Sequence, residues 1–577
     1  LTLSMRSRGG VQGCGFTGVF FGIGKQHAIN RAHADPAFSD CKVRAFVDDN
    51  IIDAPDNKLA RFTAKLDTEY EKLLLANKAD KQHTLTANTQ TASPAQPYHF
   101  HTDGIVVLGT GIGTDAFVKA TIANRFQTRI VPLLAAISLF GTDYLPQAMR
   151  LLLGSAVMSL SYETRHNPPA LSAETAIAFD DAVLSCLGDL SGTPRENFGI
   201  SPGQDSTPTQ LRRRVQLGRR FGQLGMPRTE TSAMNASFYS CWAAVGKDVA
   251  TELNNDDRGV AGLGCFLDDC LADEAHCNLA NDIHTAYGEC ADIAATPLTD
   301  TVELLKKMEI FNEMASFRPP RVPAPRDLAH NCKRGLESDL RPQIQLATLA
   351  RTHNMLEGRE LARLHATAGP IALAWVHHAN RKAMHAPPFT NAEYMVALQR
   401  YLGTEPAFSR DITECRICRQ DMTGASPSEH FCACPRGGAF QRQHRALANA
   451  YATVLGESGA GTVTREQPGS DAPEGDGSRP GDVAAKRTDA AGTLLIDVSL
   501  VRVFCESNYN NHSSDNTSLL TRNETIKINK YKGKIDRVNK FVPAIHNEYG
   551  RAGPLADTLL SDLARSAPRH DYSTEDG

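Results

Sequence analysis

Long apolar runs are missing from this 577-residue chain. The longest mainly apolar stretch, Ile130–Gly141 (IVPLLAAISLFG), is too short to cross a bilayer, so no membrane span is expected. A secretory signal is missing too: the first residues lack the basic-then-apolar pattern, and the chain opens on Leu1, which reads as a fragment of a longer reading frame. A net charge of only −4 excludes a uniformly basic nucleic-acid coat and leaves phosphate contact to local clusters. The fourteen Cys form no dense framework, which excludes a disulfide scaffold and suits a reducing intracellular compartment. There is no internal repeat.

At 41% hydrophobic, the length is far more than one core needs, and about three domains are expected. Residues 1 to about 108 read as short strand-like and helical pieces ending in DGIVVLGTGIG, a mixed α/β unit. From about 115 to 400 apolar residues recur at helical spacing between Pro-rich breaks, so this middle reads as α-helical. After a Gly, Asp and Pro-rich loop, TLLIDVSLVRVF reads as a buried strand, followed by a polar spacer and a basic helix.

Two clusters supply local positive charge. Leu211–Arg228 holds six Arg, among them Arg212, Arg213, Arg214, Arg219 and Arg220, and no acid; Arg522–Lys540 holds seven Lys or Arg against two acids. In a nearly neutral chain both are assigned to phosphate contact rather than to a solvated helix face.

The one tight Cys group is CRICRQDMTGASPSEHFCAC. Cys415 and Cys418 present two thiolates on one turn, and His430 with a later Cys closes a tetrahedral Zn²⁺ site. Either Cys432 or Cys434 completes it; Cys434 gives the preferred His-x₃-Cys spacing.

AFVDDN places Asp48 and Asp49 side by side after a run of β-formers, and such a pair can hold Mg²⁺ ions for phosphoryl transfer. Upstream, Gln12 and Gly13 lie in a Gly-rich turn that leads into an apolar helix. This order resembles reverse transcriptases of the non-LTR retrotransposon type, whose palm carries a Gln-Gly turn opening a helix and then a hairpin bearing aromatic-x-Asp-Asp. LLLANKADKQHTL is similar to the next motif of that family, with Lys81 as its lysine, and GIVVLGTGIGTD to its primer-grip strand and turn. Arg219–Trp242 resembles the Gly-Gly-Leu-Gly segment beyond the thumb, with Gln223 as a departure. Gly15 also departs, standing where the family has Pro. The resemblance implies that Asp48 and Asp49 bind polymerase Mg²⁺ or Mn²⁺. The remaining catalytic Asp would precede residue 1, leaving the polymerase incomplete.

The carboxyl-terminal third carries a fuller constellation. Asp482 stands just before one strand and Asp497 within the next, so a hairpin would bring them together to share a divalent metal. Lys527 can orient the attacking water or stabilise developing phosphorane charge, and Glu466 can add a carboxylate. This resembles the restriction-like endonuclease of the PD-(D/E)xK class at the carboxyl end of site-specific non-LTR retrotransposons, including kinetoplastid elements that insert into spliced-leader genes. There a Cys-Cys-His-Cys knuckle precedes a basic-His helix, here Arg442 and His444, and a Lys-x-x-Lys-Tyr helix follows, here Lys527, Lys530 and Tyr531. The Pro-Asp motif is interrupted as Pro480-Gly481-Asp482, and Ser499 stands where a lysine would follow Asp497.

The resemblance implies a multi-domain α/β protein: a partial reverse-transcriptase palm (1–113), a thumb and helical extension (114–245), a helical connector (246–400), a zinc knuckle (410–436) and a restriction-like endonuclease (437–577). It implies target-primed reverse transcription, with template RNA, target DNA and deoxynucleoside triphosphates as partners, in the nucleus. The alternative is an inactive remnant that binds RNA or DNA through its basic segments and knuckle. Three smaller features receive no function. CFLDDC (265–270) reads as helix surface, His99 and His101 lack ligand spacing, and GTGIG (109–113) lacks the third Gly of a dinucleotide fingerprint.

Overall fold

A computed structural model describes residues 25–46, 49–73, 83–85, 99–107, 109–201, 208–228, 233–241, 277–295, 303–304, 308, 322, 336–369, 375–376, 389–423, 426–434, 436–459, 461–465, 481–486, 492–504, 508, 519–535 and 537–566. The chain divides into two compact units, Leu1–Asn124 and Arg125–Gly577. Both belong to a mixed α/β protein built mostly of helices with small sheets.

In the first unit, strands β1 (Lys42–Phe46) and β2 (Asp49–Asp53) form an antiparallel hairpin in which Phe46 pairs with Asp49. Helix α1 (Asp56–Lys72) follows, and its Phe62, Leu66 and Tyr70, each one turn apart, bury a single face. That face meets Ala28, Ile29 and Phe38, with Val43 and Ile52 of the hairpin packed against it. Strands β3 (His83–Leu85) and β4 (His99–His101) pair in parallel, while β5 (Gly104–Val107) and β6 (Thr110–Gly113) make a second hairpin. The GTGIG stretch is therefore a turn and a strand. Gly109 takes φ 87° at that turn, a left-handed value that a side chain would strain.

The second unit opens with helices and, among its described residues, has no strand before residue 462. The apolar run Ile130–Gly141 forms all of helix α2 (Val131–Gly141), which buries Leu134 and Ile137 while Leu139 stays 74% exposed. It is a half-buried packing helix, and no described helix is long and apolar enough to cross a membrane. Helix α3 (Leu145–Gly154) and the long α4 (Pro169–Ser191) pack against it, α4 ending at Gly192 in the left-handed conformation of a helix terminus. Helices α5 (Gln210–Val215), α6 (Leu336–Met355), α7 (Gly358–Ala366) and α8 (Asn391–Leu402) belong to the same helical part, as do the helices Ser161–His166 and Cys277–Ala295; a reciprocal Thr390–Glu393 capping box starts α8.

After α9 (Pro427–Ala433) and α10 (Ala439–Glu457) comes a four-stranded sheet in the order β10-β9-β8-β7. Strands β7 (Thr462–Arg465), β8 (Val483–Lys486) and β9 (Thr493–Val501) run antiparallel to their neighbours. Helix α11 (Leu519–Tyr531) then carries the chain back, so that β10 (Lys540–Asn547) pairs in parallel with β9. That return is required, because parallel neighbours need a crossover rather than a turn. Helix α12 (Pro554–Ser566) closes the unit.

Strand periodicity fixes what each face of this sheet carries. Leu494, Ile496 and Val498 of β9 join Tyr451 and Leu455 of α10 and Leu559 and Leu563 of α12 in one core. Val501 lies on the opposite face in a second core with Leu519 and Leu520 of α11, Ile545 of β10, and Ala362 and Ala366 of α7. Asp497 shares parity with Val501 and so points toward α11.

Candidate functional site

Two groups of side chains carry chemistry. In the first, the Cys415 N–H donates to the Gln420 carbonyl (2.9 Å) and the Arg419 N–H to the Cys415 carbonyl (2.9 Å). These bonds close a tight turn, in which Arg419 is the one described non-glycine residue at positive φ, 65°. Helix α9 brings His430 and then Cys434 to the same place. The Glu405 carboxylate fixes its start, accepting from the Ser426 hydroxyl (2.6 Å) and the Ser428 N–H (2.8 Å).

Ligand atoms of Cys415, Cys418, His430 and Cys434 all lie within 4.8 Å of one another. Cys415 Sγ is 3.9 Å from Cys434 Sγ, and Cys418 Sγ is 3.2 Å from His430 Nε2. These separations suit the edges of a tetrahedron with Zn–S of about 2.3 Å and Zn–N of about 2.0 Å. Backbone N–H groups, led by that of Cys418, bring the Cys415 thiol down to about 6, toward the thiolate a metal needs. The four groups can thus hold a zinc ion. They include Cys434, while the Cys432 side chain lies outside the described structure. Among the described residues this is the one place where three or more such ligands converge so tightly.

The second group lies on the sheet. Val483 opens β8 and pairs with Ile496, so Asp482, the residue before it, comes up beside Asp497 of β9. The Asp482 N–H donates to the Ile496 carbonyl (2.8 Å), and its Oδ2 accepts from the Val498 N–H (2.8 Å). His444 of α10 reaches in, with Nε2 2.9 Å from the Val498 carbonyl and 3.4 Å from Asp482 Oδ2. From α11, Lys527 Nζ approaches Asp497 Oδ2 to 2.8 Å. That approach is a close ion pair between a partly exposed lysine and a buried carboxylate.

The two carboxylates are pushed apart electrostatically. Burial raises Asp482, but His444 and the Val498 N–H outweigh it and hold this carboxyl below the usual range. Burial raises Asp497 above it, Lys527 offsetting only part and the Asp482 charge adding to the rise. The Asp482 carboxylate in turn holds the His444 imidazole above its ordinary value. Asp482, Asp497 and Lys527 thus stand on the strands and helix expected from the sequence, and the structure brings them together. His444 was assigned to nucleic acid, and its contacts are instead with Asp482 and Val498. No local pattern signals that, because the helix-to-sheet packing creates it.

The basic residues divide. Arg214 is fully buried: Nε donates to Glu360 (2.8 Å), Nη1 to Gln223 (3.1 Å) and Nη2 to the Tyr401 and Leu402 carbonyls. Arg212 is buried against Asp181 at 2.6 Å. Phosphate contact by these two does not hold, since burying a guanidinium demands the internal acid each has found. Tyr531 likewise is 4% exposed, edge-on to Phe541 at 5.2 Å, and is a core residue rather than a contact to nucleic acid. Arg213 is half-buried, with Nη1 on Met355 Sδ, and Arg219 and Arg220 line a cavity. Arg442 and Lys530 are exposed.

Asp49 opens β2 at the hairpin tip. Gln12, Gly13, Asp48, Lys81, Glu466 and Pro480 lie outside the described residues. Comparison with protein-family models gave no match, and comparison with curated proteins gave none either.

Proposed function

We propose that the chain is part of a non-LTR retrotransposon protein whose carboxyl-terminal sheet is a metal-dependent DNA endonuclease of the restriction-like class. The observation that carries this is Asp482 bonded to the backbone on both sides of Asp497, with Lys527 2.8 Å from the Asp497 carboxylate. Paired carboxylates with an adjacent lysine are what phosphodiester hydrolysis needs from a protein. The buried Asp497 carboxylate, which Lys527 compensates only in part, is one that a hard cation would stabilise further. A bound Mg²⁺ or Mn²⁺ would supply charge at the scissile phosphate and a more acidic water.

The chain's own residues do the rest. Asp482 and Asp497 would hold the cation, with Glu466 as a further carboxylate. Lys527 places a proton donor beside the phosphate oxygens. His444 and the Val498 N–H fix the Asp482 carboxylate in one rotamer. Exposed Arg442 and Lys530 contact the DNA backbone. The zinc module orders the chain just ahead of α10.

In the first unit, the β1–β2 hairpin with Asp49 at its tip suits the metal-binding hairpin of a reverse-transcriptase palm, where Asp48 and Asp49 would bind metal, with the following parts as thumb and connector. A nick in target DNA would leave a 3′-hydroxyl, which primes copying of template RNA from deoxynucleoside triphosphates in the nucleus. One observation favours a binding remnant instead: the Lys527 ammonium already stands 2.8 Å from the Asp497 carboxylate, where a metal would bind.

One experiment separates the two. The full chain is incubated with supercoiled plasmid and Mg²⁺, beside Asp482→Ala, Asp497→Ala and EDTA controls. Nicking lost in all three controls supports the nuclease. Folded, zinc-loaded protein that binds DNA in a salt-dependent way but never nicks, on plasmid or candidate target sequences, supports the remnant.

A further inference from the structure

The Gly-Gln-Leu-Gly stretch forms a loop fixed on one side and open on the other. It turns back on itself, the Gly225 N–H donating to the Leu217 carbonyl (2.9 Å) and the Met226 N–H to the Val215 carbonyl (3.1 Å). Its inner side is held by Gln223, which is fully buried. Gln223 Nε2 donates to Thr367 Oγ1 (2.6 Å), and its Oε1 accepts from Arg214 (3.1 Å) and the Tyr401 hydroxyl (3.1 Å). Gly222, at φ 72°, rests so closely on the Thr367 carbonyl that no Cβ would fit.

The outer side borders a cavity of about 590 Å³. Arg219 and Arg220 line it from the loop, Arg228 from just beyond and Arg341 from α6, and no Asp or Glu is among its described lining. Arg219 decides its character. This guanidinium bonds to two backbone carbonyls, of Leu153 and Leu224, and to no carboxylate among the described residues. Burial alone shifts its pKa, downward, as expected of a cation without a counter-charge. The rest of the wall is apolar and rich in methionine: Met158, Met226, Met234, Phe179 and Leu153. Thioethers adapt to flat rings, and guanidinium forks match phosphate oxygens. The volume lies within the range of small-ligand sites, roughly 300–1,000 Å³.

We propose that this cavity binds a nucleoside phosphate, with the phosphate on the arginines and the base against the methionine wall. The ligand is a free nucleotide or the phosphorylated end of a nucleic-acid strand. The site is separate from the carboxylate cluster, shares no residue with it, and does not depend on nuclease activity.

The test measures fluorescence anisotropy of the full chain without added divalent metal. The probes are a fluorescent deoxyadenosine triphosphate analogue and a labelled single strand with or without a 5′-phosphate. Saturable binding that weakens about tenfold or more in Arg219→Gln and Arg341→Gln, and not in Asp49→Ala or Asp497→Ala, supports the site. Tighter binding of the triphosphate assigns a free nucleotide; tighter binding of the phosphorylated strand over its unphosphorylated twin assigns a strand end. Arg341 is exposed on α6, and thermal melting checks that Arg341→Gln keeps the fold even where Arg219→Gln disturbs the loop. No saturable binding of either probe by folded wild type, or binding that Arg341→Gln leaves unchanged, overturns the proposal.

Discussion

Asp482 bonds to the β9 backbone on both sides of Asp497, yet the two carboxyls are displaced in opposite directions, Asp482 down and Asp497 up. Like charges this close repel, so each needs its own compensation. Asp482 has His444 and a backbone N–H, whereas the more deeply buried Asp497 has chiefly Lys527, with Lys530 adding less. Substitution should therefore separate stability from function. Asp497→Asn removes a poorly compensated buried charge and should leave stability within about 1 kcal/mol of wild type, or raise it. Asp482→Asn gives up the His444 contact and should cost about 1 kcal/mol. Both should abolish Mg²⁺-dependent nicking. Urea unfolding beside a plasmid assay checks this; a loss of several kcal/mol in Asp497→Asn would count against the assignment.

His546 of β10 gives the fold a pH dependence. Burial beside the Tyr451 hydroxyl (2.8 Å) brings this imidazole down to about 4, against an unfolded value of about 6.5. Between those values the unfolded chain binds a proton that the folded chain refuses. The contribution is thus fully present above about pH 6.5 and is lost as pH falls toward 4, on the order of 3 kcal/mol across that window. His546→Gln keeps a partner for Tyr451 but cannot titrate. Unfolding midpoints at pH 7 and pH 4.5 should converge in the variant while separating in wild type.

The knuckle predicts its own stoichiometry. Metal analysis of the purified chain should find one zinc, lost in Cys415→Ser and Cys434→Ser and retained in Cys432→Ser. Loss in Cys432→Ser with retention in Cys434→Ser would move the fourth ligand by two residues. Since ligand deprotonation is coupled to binding, zinc affinity should also fall as the pH is lowered and the thiols are protonated.

The parts of the carboxyl-terminal sheet were readable because they are local. TLLIDVSLV is β-branched enough to declare a buried strand, and the basic helix after it ends where Tyr531 turns into the core. What could not be read is whatever distant segments decide. The parallel pairing of β10 with β9 follows from the crossover through α11. The contact between His444 and Asp482 follows from packing α10 on the sheet. Gln223, a departure from a Gly-Gly-Leu-Gly pattern, is explained only by Thr367 and Tyr401, both far along the chain.

The arginines show the same limit with the largest energetic consequence. Counting charge along Leu211–Arg228 finds six cations and no acid, but Asp181 is 31 positions from Arg212 and Glu360 is 146 from Arg214. Arg214 bridges α5 to α7 and to the end of α8, and Glu360, shared with Arg363 at 2.7 Å, would be left with one partner if it were removed. Burial raises the Glu360 carboxyl, and Arg214 and Arg363 together bring it below its ordinary value. Arg214→Met should therefore destabilise the second unit by about 3–5 kcal/mol, the cost of leaving a buried charge half-compensated. Arg442→Ala, on an exposed face, should leave stability within about 0.5 kcal/mol and instead weaken DNA binding uniformly across sequences, lowering the salt slope by about one. Thermal melting and salt-titrated DNA binding of the two variants distinguish these roles. An Arg214→Met protein that melts like wild type but loses DNA would return this guanidinium to the nucleic-acid surface.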